Sequence, residues 1–150
     1  MALLALAVAA PAPVAAQDGG YTKEQLQEIY MQFLKEEGYV PHVDEDGDVV
    51  FKAEGRTYFI GVNEKDPEFF RLVFPFFWEI ESEAERTKAF SACNHANLET
   101  KVAKVFVVKD NTWASVELFV QSPEDFKPLF KRSLSAIKVS VDSFAEKMRE

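Results

Sequence analysis

One β-rich stretch, residues 69–80, constrains the fold more than any other feature of the chain. It carries Phe69, Phe70, Phe74, Phe76, Phe77 and Trp78. A strand turns successive side chains to opposite faces, so one covering layer can bury only half of these rings. The other half need a second cover or a partner, because large exposed apolar patches mark interaction sites. Pro75 lacks a backbone donor, which predicts an edge strand or a bulge at that point.

Around this stretch the sequence alternates between helix and hairpin signals. Thr22 is a helix N-cap, and Gln25 completes a capping-box pattern. Leu26, Ile29, Tyr30, Phe33 and Leu34 then form one apolar helical stripe, ended by Gly38 and Pro41. Val49–Ala53 and residues 57–62 read as strands joined by a Glu54-Gly55 turn. Ser82 and Glu85 make a second capping box, opening a helix to about Leu98 with Ala89, Phe90, Cys93, Ala96 and Asn97 along one side. Strands are predicted over 102–108 and 112–120, with a turn at Asp110-Asn111. In the second of them Ala114, Val116, Leu118 and Val120 share one face, and Trp113, Ser115, Glu117 and Phe119 share the other. Ser122-Pro123 opens a final helix carrying Phe126, Leu129, Phe130, Ser133, Ile137, Val141, Phe144 and Met148. The order is α-β-β-β-α-β-β-α, an α+β domain with an antiparallel sheet and flanking helices.

Residues 1–16 carry no charge and are almost entirely Ala, Leu, Val and Pro. An apolar core at 3–10, the helix breakers Pro11 and Pro13, and Val14-Ala15-Ala16 before Gln17 read as a secretory signal peptide with its cleavage site. No Lys or Arg precedes the apolar core, the one expected part that is missing. Spanning a bilayer takes about 20 apolar residues, so membrane insertion is not expected. Residues 17–21 read as a flexible lead-in and 22–150 as a single domain, periplasmic or secreted after cleavage near Ala16. The lone Cys93 cannot make an internal disulfide and is expected to be buried. A core rich in Phe, each ring contributing about 1.5–3 kcal/mol when buried, needs neither metal nor disulfide. The net charge of −8 argues against nucleic acid as a partner, since phosphate backbones repel such a chain.

Catalytic and metal-binding patterns are incomplete in this sequence. Asp44, Asp46 and Asp48 alternate, but a calcium loop starting at Asp44 needs Gly at its sixth position and Glu at its twelfth. Val49 and Gly55 stand there. Cys93 and His95 point to different sides of a helix and cannot easily grip one ion. Glu79, Glu81, Glu83 and Glu85 straddle a helix start, where carboxylates favour the dipole. There is no Gly-x-Ser-x-Gly elbow, P-loop, dinucleotide fingerprint or His-Glu-x-x-His. No catalytic residue, metal or cofactor is assigned, and the chain does not read as an enzyme. Asn94 and Asn97 remain, either satisfying backbone groups where the helix stops or lining a groove between helix and sheet.

Three features together resemble the YbjN-like family, which has the fold of type III secretion chaperones. One is the amphipathic opening helix leading through Gly38-Tyr39 into a hairpin. Another is the helix end Cys93-Asn94-His95-Ala96-Asn97, followed by the second hairpin. The last is Ser122-Pro123-Glu124-Asp125-Phe126 before the final helix. The resemblance covers residues 22–148. It implies a compact α+β protomer, often dimeric, that binds protein or regulates without catalysis. The expectation is an exported protein-binding or chaperone-like domain with an unidentified protein partner and a homodimer among its assemblies. Its candidate surface comprises Phe76, Phe77, Trp78, Trp113 and Phe119, with Asn94 and Asn97 beside it. The alternative is a carrier or sensor holding a small apolar ligand between sheet and helices.

Overall fold

The computed structural model describes residues 20–150, so the segment read as a signal peptide lies outside the described residues. The opening helix α1 (Lys23–Glu36) begins as its sequence predicts. The Thr22 hydroxyl accepts from the Gln25 backbone, and the Gln25 side chain accepts from the Thr22 backbone. Strands β1 (His42–Val43), β2 (Val49–Ala53), β3 (Arg56–Ile60) and β4 (Phe69–Glu79) follow. Helix α2 (Glu83–Glu99), strands β5 (Ala103–Val108) and β6 (Asn111–Phe119), a 3-10 helix (Pro123–Leu129) and α3 (Phe130–Arg149) complete the chain.

All six strands are antiparallel neighbours in one sheet, ordered β1-β2-β3-β4-β6-β5. The α+β class and antiparallel sheet match the sequence reading, and four details differ. β1 is only a two-residue bridge, too short to leave a periodic signal. The last hairpin turns one residue earlier, because Lys109 takes the left-handed backbone (φ 55°) and Asn111 already pairs with Val108. The final helix starts as a 3-10 segment, since Pro128 has no N–H to donate into an α-helical ladder. Pro75 marks a bulge and not an edge, because β4 lies between β3 and β6.

That bulge decides which rings face where. Phe74 pairs with Ala114 and Trp78 pairs with Thr112, so β4 spends four steps where β6 spends two. Two extra residues are accommodated, and Phe76 adopts φ 53° within them.

The helices lie on one face of the sheet. Beneath them sit Val49 and Phe51 of β2, Tyr58 and Ile60 of β3, Phe70 and Leu72 of β4, Val105 of β5, and Ala114 and Val116 of β6. Phe126 is the hub of an aromatic cluster against these strands. Its ring centroid lies 4.9 Å from Phe33, 5.0 Å from Phe70 and 5.1 Å from Tyr30. Edge-to-face and offset contacts of this kind add about 0.5–1.5 kcal/mol each beyond area burial. Burial also pushes the Tyr30 phenol up to about 12 and the Cys93 thiol up to about 11, which leaves Cys93 a buried, unreactive core residue.

Candidate binding face

The face of the sheet turned away from the helices carries a second aromatic population. Registered neighbours across an antiparallel sheet share a face, so the pairing reads out as rows. Phe69 stands opposite Phe119, and Arg71 opposite Glu117. Val50, Phe59, Val73, Ser115 and Lys104 form the next row across five strands. Beyond it Lys52 pairs with Thr57, and Trp113 pairs with Phe106. Phe76 fills the interval above the bulge, its ring edge-on to Trp113 at 5.0 Å.

Six rings of this face therefore lie outside the core cluster: Phe59, Phe69, Phe76, Phe106, Trp113 and Phe119. Phe119 is 85% exposed and Phe76 is 65% exposed. Phe59 packs edge-on to Trp113 at 6.1 Å, and Phe69 leans on Phe119 at 5.8 Å. Among the described residues no helix covers them. The Trp113 indole N–H is buried beneath its neighbours with no acceptor, a costly state for a donor. At the β1 side the face runs into an open groove of about 410 Å³, lined by Tyr39, Val40, His42, Val50, Lys52 and Thr57.

A charged ladder divides the face. Glu117 accepts from Arg71 Nε at 3.1 Å and from Ser115 Oγ at 3.1 Å, and its other oxygen accepts from Lys104 Nζ. Burial alone would raise the Glu117 carboxyl. The Lys104 and Ser115 bonds and the Lys104 and Arg71 charges outweigh it and hold the group below its ordinary value. The ladder is therefore intact at neutral pH, and its contribution is lost as pH falls through that lowered pKa.

The structure sorts the residues expected on the binding surface into two groups. Phe76, Trp113 and Phe119 stand on the open face. Phe77 and Trp78 do not: the bulge rotates both to the helix side, where their rings meet Phe144 at 5.3 and 5.7 Å. The Trp78 indole N–H donates to Glu85 at 2.9 Å. Phe59 and Phe106 were missed, although alternation with Tyr58 and Val105 could have identified them.

Asn94 is exposed on α2, away from the open face. Asn97 does satisfy backbone groups, but they belong to an edge strand and not to its own helix end. Its carboxamide accepts from Val105 N at 2.8 Å and donates to Val105 O at 3.1 Å. One side chain thus occupies both hydrogen-bonding positions that β5 offers a further strand at that residue. The acidic loop is also internally satisfied. Asp44 Oδ1 accepts from the Asp46 and Asp48 backbones, and Asp48 Oδ1 accepts from Val62 N. Among the described residues no group of three or more His, Cys, Asp or Glu is placed to hold a metal ion. No described helix is long and apolar enough to cross a membrane.

Residues 24–148 match a family described as type III secretion (YopN, CesT) and YbjN peptide-binding chaperone 1. Among solved structures, the chain is similar to YbjN from E. coli, with a TM-score of 0.59 and 15% identity, covering 80% of this chain and 92% of that one. It is also similar to an uncharacterized protein from Methanothermobacter thermautotrophicus, with a TM-score of 0.50 and 15% identity, covering 82% and 94%. At such identity the two structures speak for the fold alone. No curated protein matches the chain.

Phe76 should behave unlike any core ring. Its strained left-handed backbone costs about 1–3 kcal/mol, a cost that glycine removes. Phe76→Gly is expected to change unfolding stability by less than about 1 kcal/mol, whereas Phe126→Ala costs about 3–5 kcal/mol. Denaturant unfolding of both variants checks this, and a Phe76→Gly loss as large as that of Phe126→Ala would contradict it.

Proposed function

The chain belongs to the family of type III secretion and YbjN peptide-binding chaperones, and from that premise we propose that it binds extended segments of partner proteins on the open face of its sheet. The observation that carries this reading is the set of six rings held outside the core on a face no described helix covers. Rings fixed on a rigid sheet lose little conformational freedom on binding, so their buried area converts efficiently to affinity. The one hydroxyl paired with a carboxylate in the ladder, Ser115 on Glu117, is fully buried in the sheet, and the role we propose is binding without catalysis. Trp113→Ala and Phe119→Ser should each weaken capture of a reduced, permanently unfolded client by about tenfold while thermal unfolding still shows a folded domain. Unchanged capture by both variants would remove the face from the account.

A homodimer, if formed, has a different surface available. Phe90, Leu98 and Val102 are exposed on the side of α2 next to the β5 edge, with Val102 in a left-handed backbone (φ 73°). Assembly there leaves the open face free for a client.

Export is part of the same proposal and rests on the apolar, uncharged residues 1–16 with small residues before Gln17. The intact mass of the protein recovered from the exported fraction should correspond to a chain beginning at Gln17. A retained chain still beginning at Met1 would contradict export.

A further inference from the structure

Between the pairs Phe74–Ala114 and Trp78–Thr112, where β4 detaches from β6, β6 has a single residue, Trp113. Among the described residues two buried side-chain polar atoms lack a partner, and both fall at this spot: Thr112 Oγ1 and Trp113 Nε1. A hydroxyl can rotate and can donate or accept, whereas an indole N–H only donates, along one fixed line. Trp78, the other tryptophan of the chain, meets that need by donating to Glu85 at 2.9 Å. Trp113 has instead the rings of Phe76 at 5.0 Å and Phe59 at 6.1 Å, and an aromatic ring is at best a weak acceptor. Neither carboxylate of the face serves it. Glu117 is tied to Arg71, Ser115 and Lys104. Glu79, opposite Asn111, is exposed and forms no ion pair among the described residues.

The residue over this donor is the one best placed to move. Pro75, Phe76 and Phe77 have no registered partner on β3 or on β6, so Phe76 can swing aside without opening a ladder pair. Its ring is already largely exposed, and its left-handed backbone is one that a bulky side chain holds only at a cost. We infer that Trp113 is the polar anchor of the open face: with Phe76 displaced, its indole N–H donates to a main-chain carbonyl of the bound segment. The inference rests on the reading of that face as the peptide site. A client carboxylate is the poorer acceptor here, because it would be a charge among rings with Glu79 as a like charge two residues along the register. A carbonyl is neutral, and every residue of an extended segment carries one. Apolar contact with the rings then selects clients by their side chains, and this one bond fixes their backbone on the sheet.

The test uses an acetylated and amidated synthetic peptide of Val and Leu with lysine as its only polar side chain. Lysine donates and never accepts, so amide carbonyls are the only acceptors the peptide brings. In one variant the Trp113 indole is replaced by benzothiophene, a ring of nearly the same outline with sulfur where the N–H stands. Calorimetric titration should show about fivefold weaker binding, the worth of one neutral hydrogen bond. Its thermal unfolding midpoint should equal or exceed that of the unaltered protein, because an unmet donor has been removed. In Phe76→Gly the Trp113 indole N–H should exchange faster with solvent while that of Trp78 is unchanged, and saturating peptide should slow it again. Equal affinity for the benzothiophene variant would overturn the anchor and leave the aromatic face standing. A lower midpoint for it would also overturn the anchor, since the donor is then satisfied within the free protein. Unchanged exchange in Phe76→Gly would remove Phe76 as the cover and with it the path of a carbonyl to the indole. If the peptide does not bind the unaltered protein, the reading of the face falls, and this inference falls with it.

Discussion

The antiparallel pairing of β4 with β6 is the constraint on which the rest of the molecule depends. It runs through eight registered pairs, from Phe69 opposite Phe119 to Glu79 opposite Asn111, and it decides the side of every ring in the centre of the sheet. A one-residue slip of β4 would turn Phe70 and Leu72 outward and bring Arg71 into the core, away from Glu117. The ladder of Arg71, Glu117 and Lys104 penalises that slip from the outer face, and the Phe126 cluster penalises it from the inner one. Each face thereby protects the register of the other.

Within this pairing the Pro75 bulge acts as a sorting device. A regular strand would alternate Phe74, Phe76 and Trp78 onto a single face. Two inserted residues instead put Phe74, Phe77 and Trp78 beneath the helices, with Phe76 alone outside on Trp113. The sheet gains core on one side and an aromatic platform on the other from one segment of chain. The left-handed backbone of Phe76 and the unpaired indole N–H of Trp113 are local costs concentrated at that platform. Strain and unmet hydrogen bonding collect at functional sites because selection tolerates them there. At the sheet edge the opposite policy holds. Asn97 fills the hydrogen-bonding positions of Val105, which blocks addition of a further strand at that residue.

The sequence was most legible where a local rule carried the information. Thr22 with Gln25 and the Glu54-Gly55 turn are such cases, and so is the alternation that put Trp113 and Phe119 opposite Val116. These depend on a few neighbouring residues and on the periods of helix and strand. What escaped depends on pairing across the sheet. The side taken by Phe77 and Trp78 follows from how many residues the bulge absorbs, which Pro75 announces but does not count. Phe59 and Phe106 are the exception, since alternation with the buried Tyr58 and Val105 already turns them outward; the register with Val73 and Trp113 only says which rings they meet. Asn97 looked like a helix-end residue because its true partner, Val105, is reached through the next strand and not through the helix.

The most direct measurement is a map of backbone amide and aromatic side-chain NMR shifts as an unfolded apolar peptide is titrated in. Binding on the open face predicts that the largest changes fall on Phe59, Phe76, Phe106, Trp113 and Phe119, with the Phe126 cluster still. Changes centred instead on Phe90 and Leu98 of α2, or spread through the core, would contradict it.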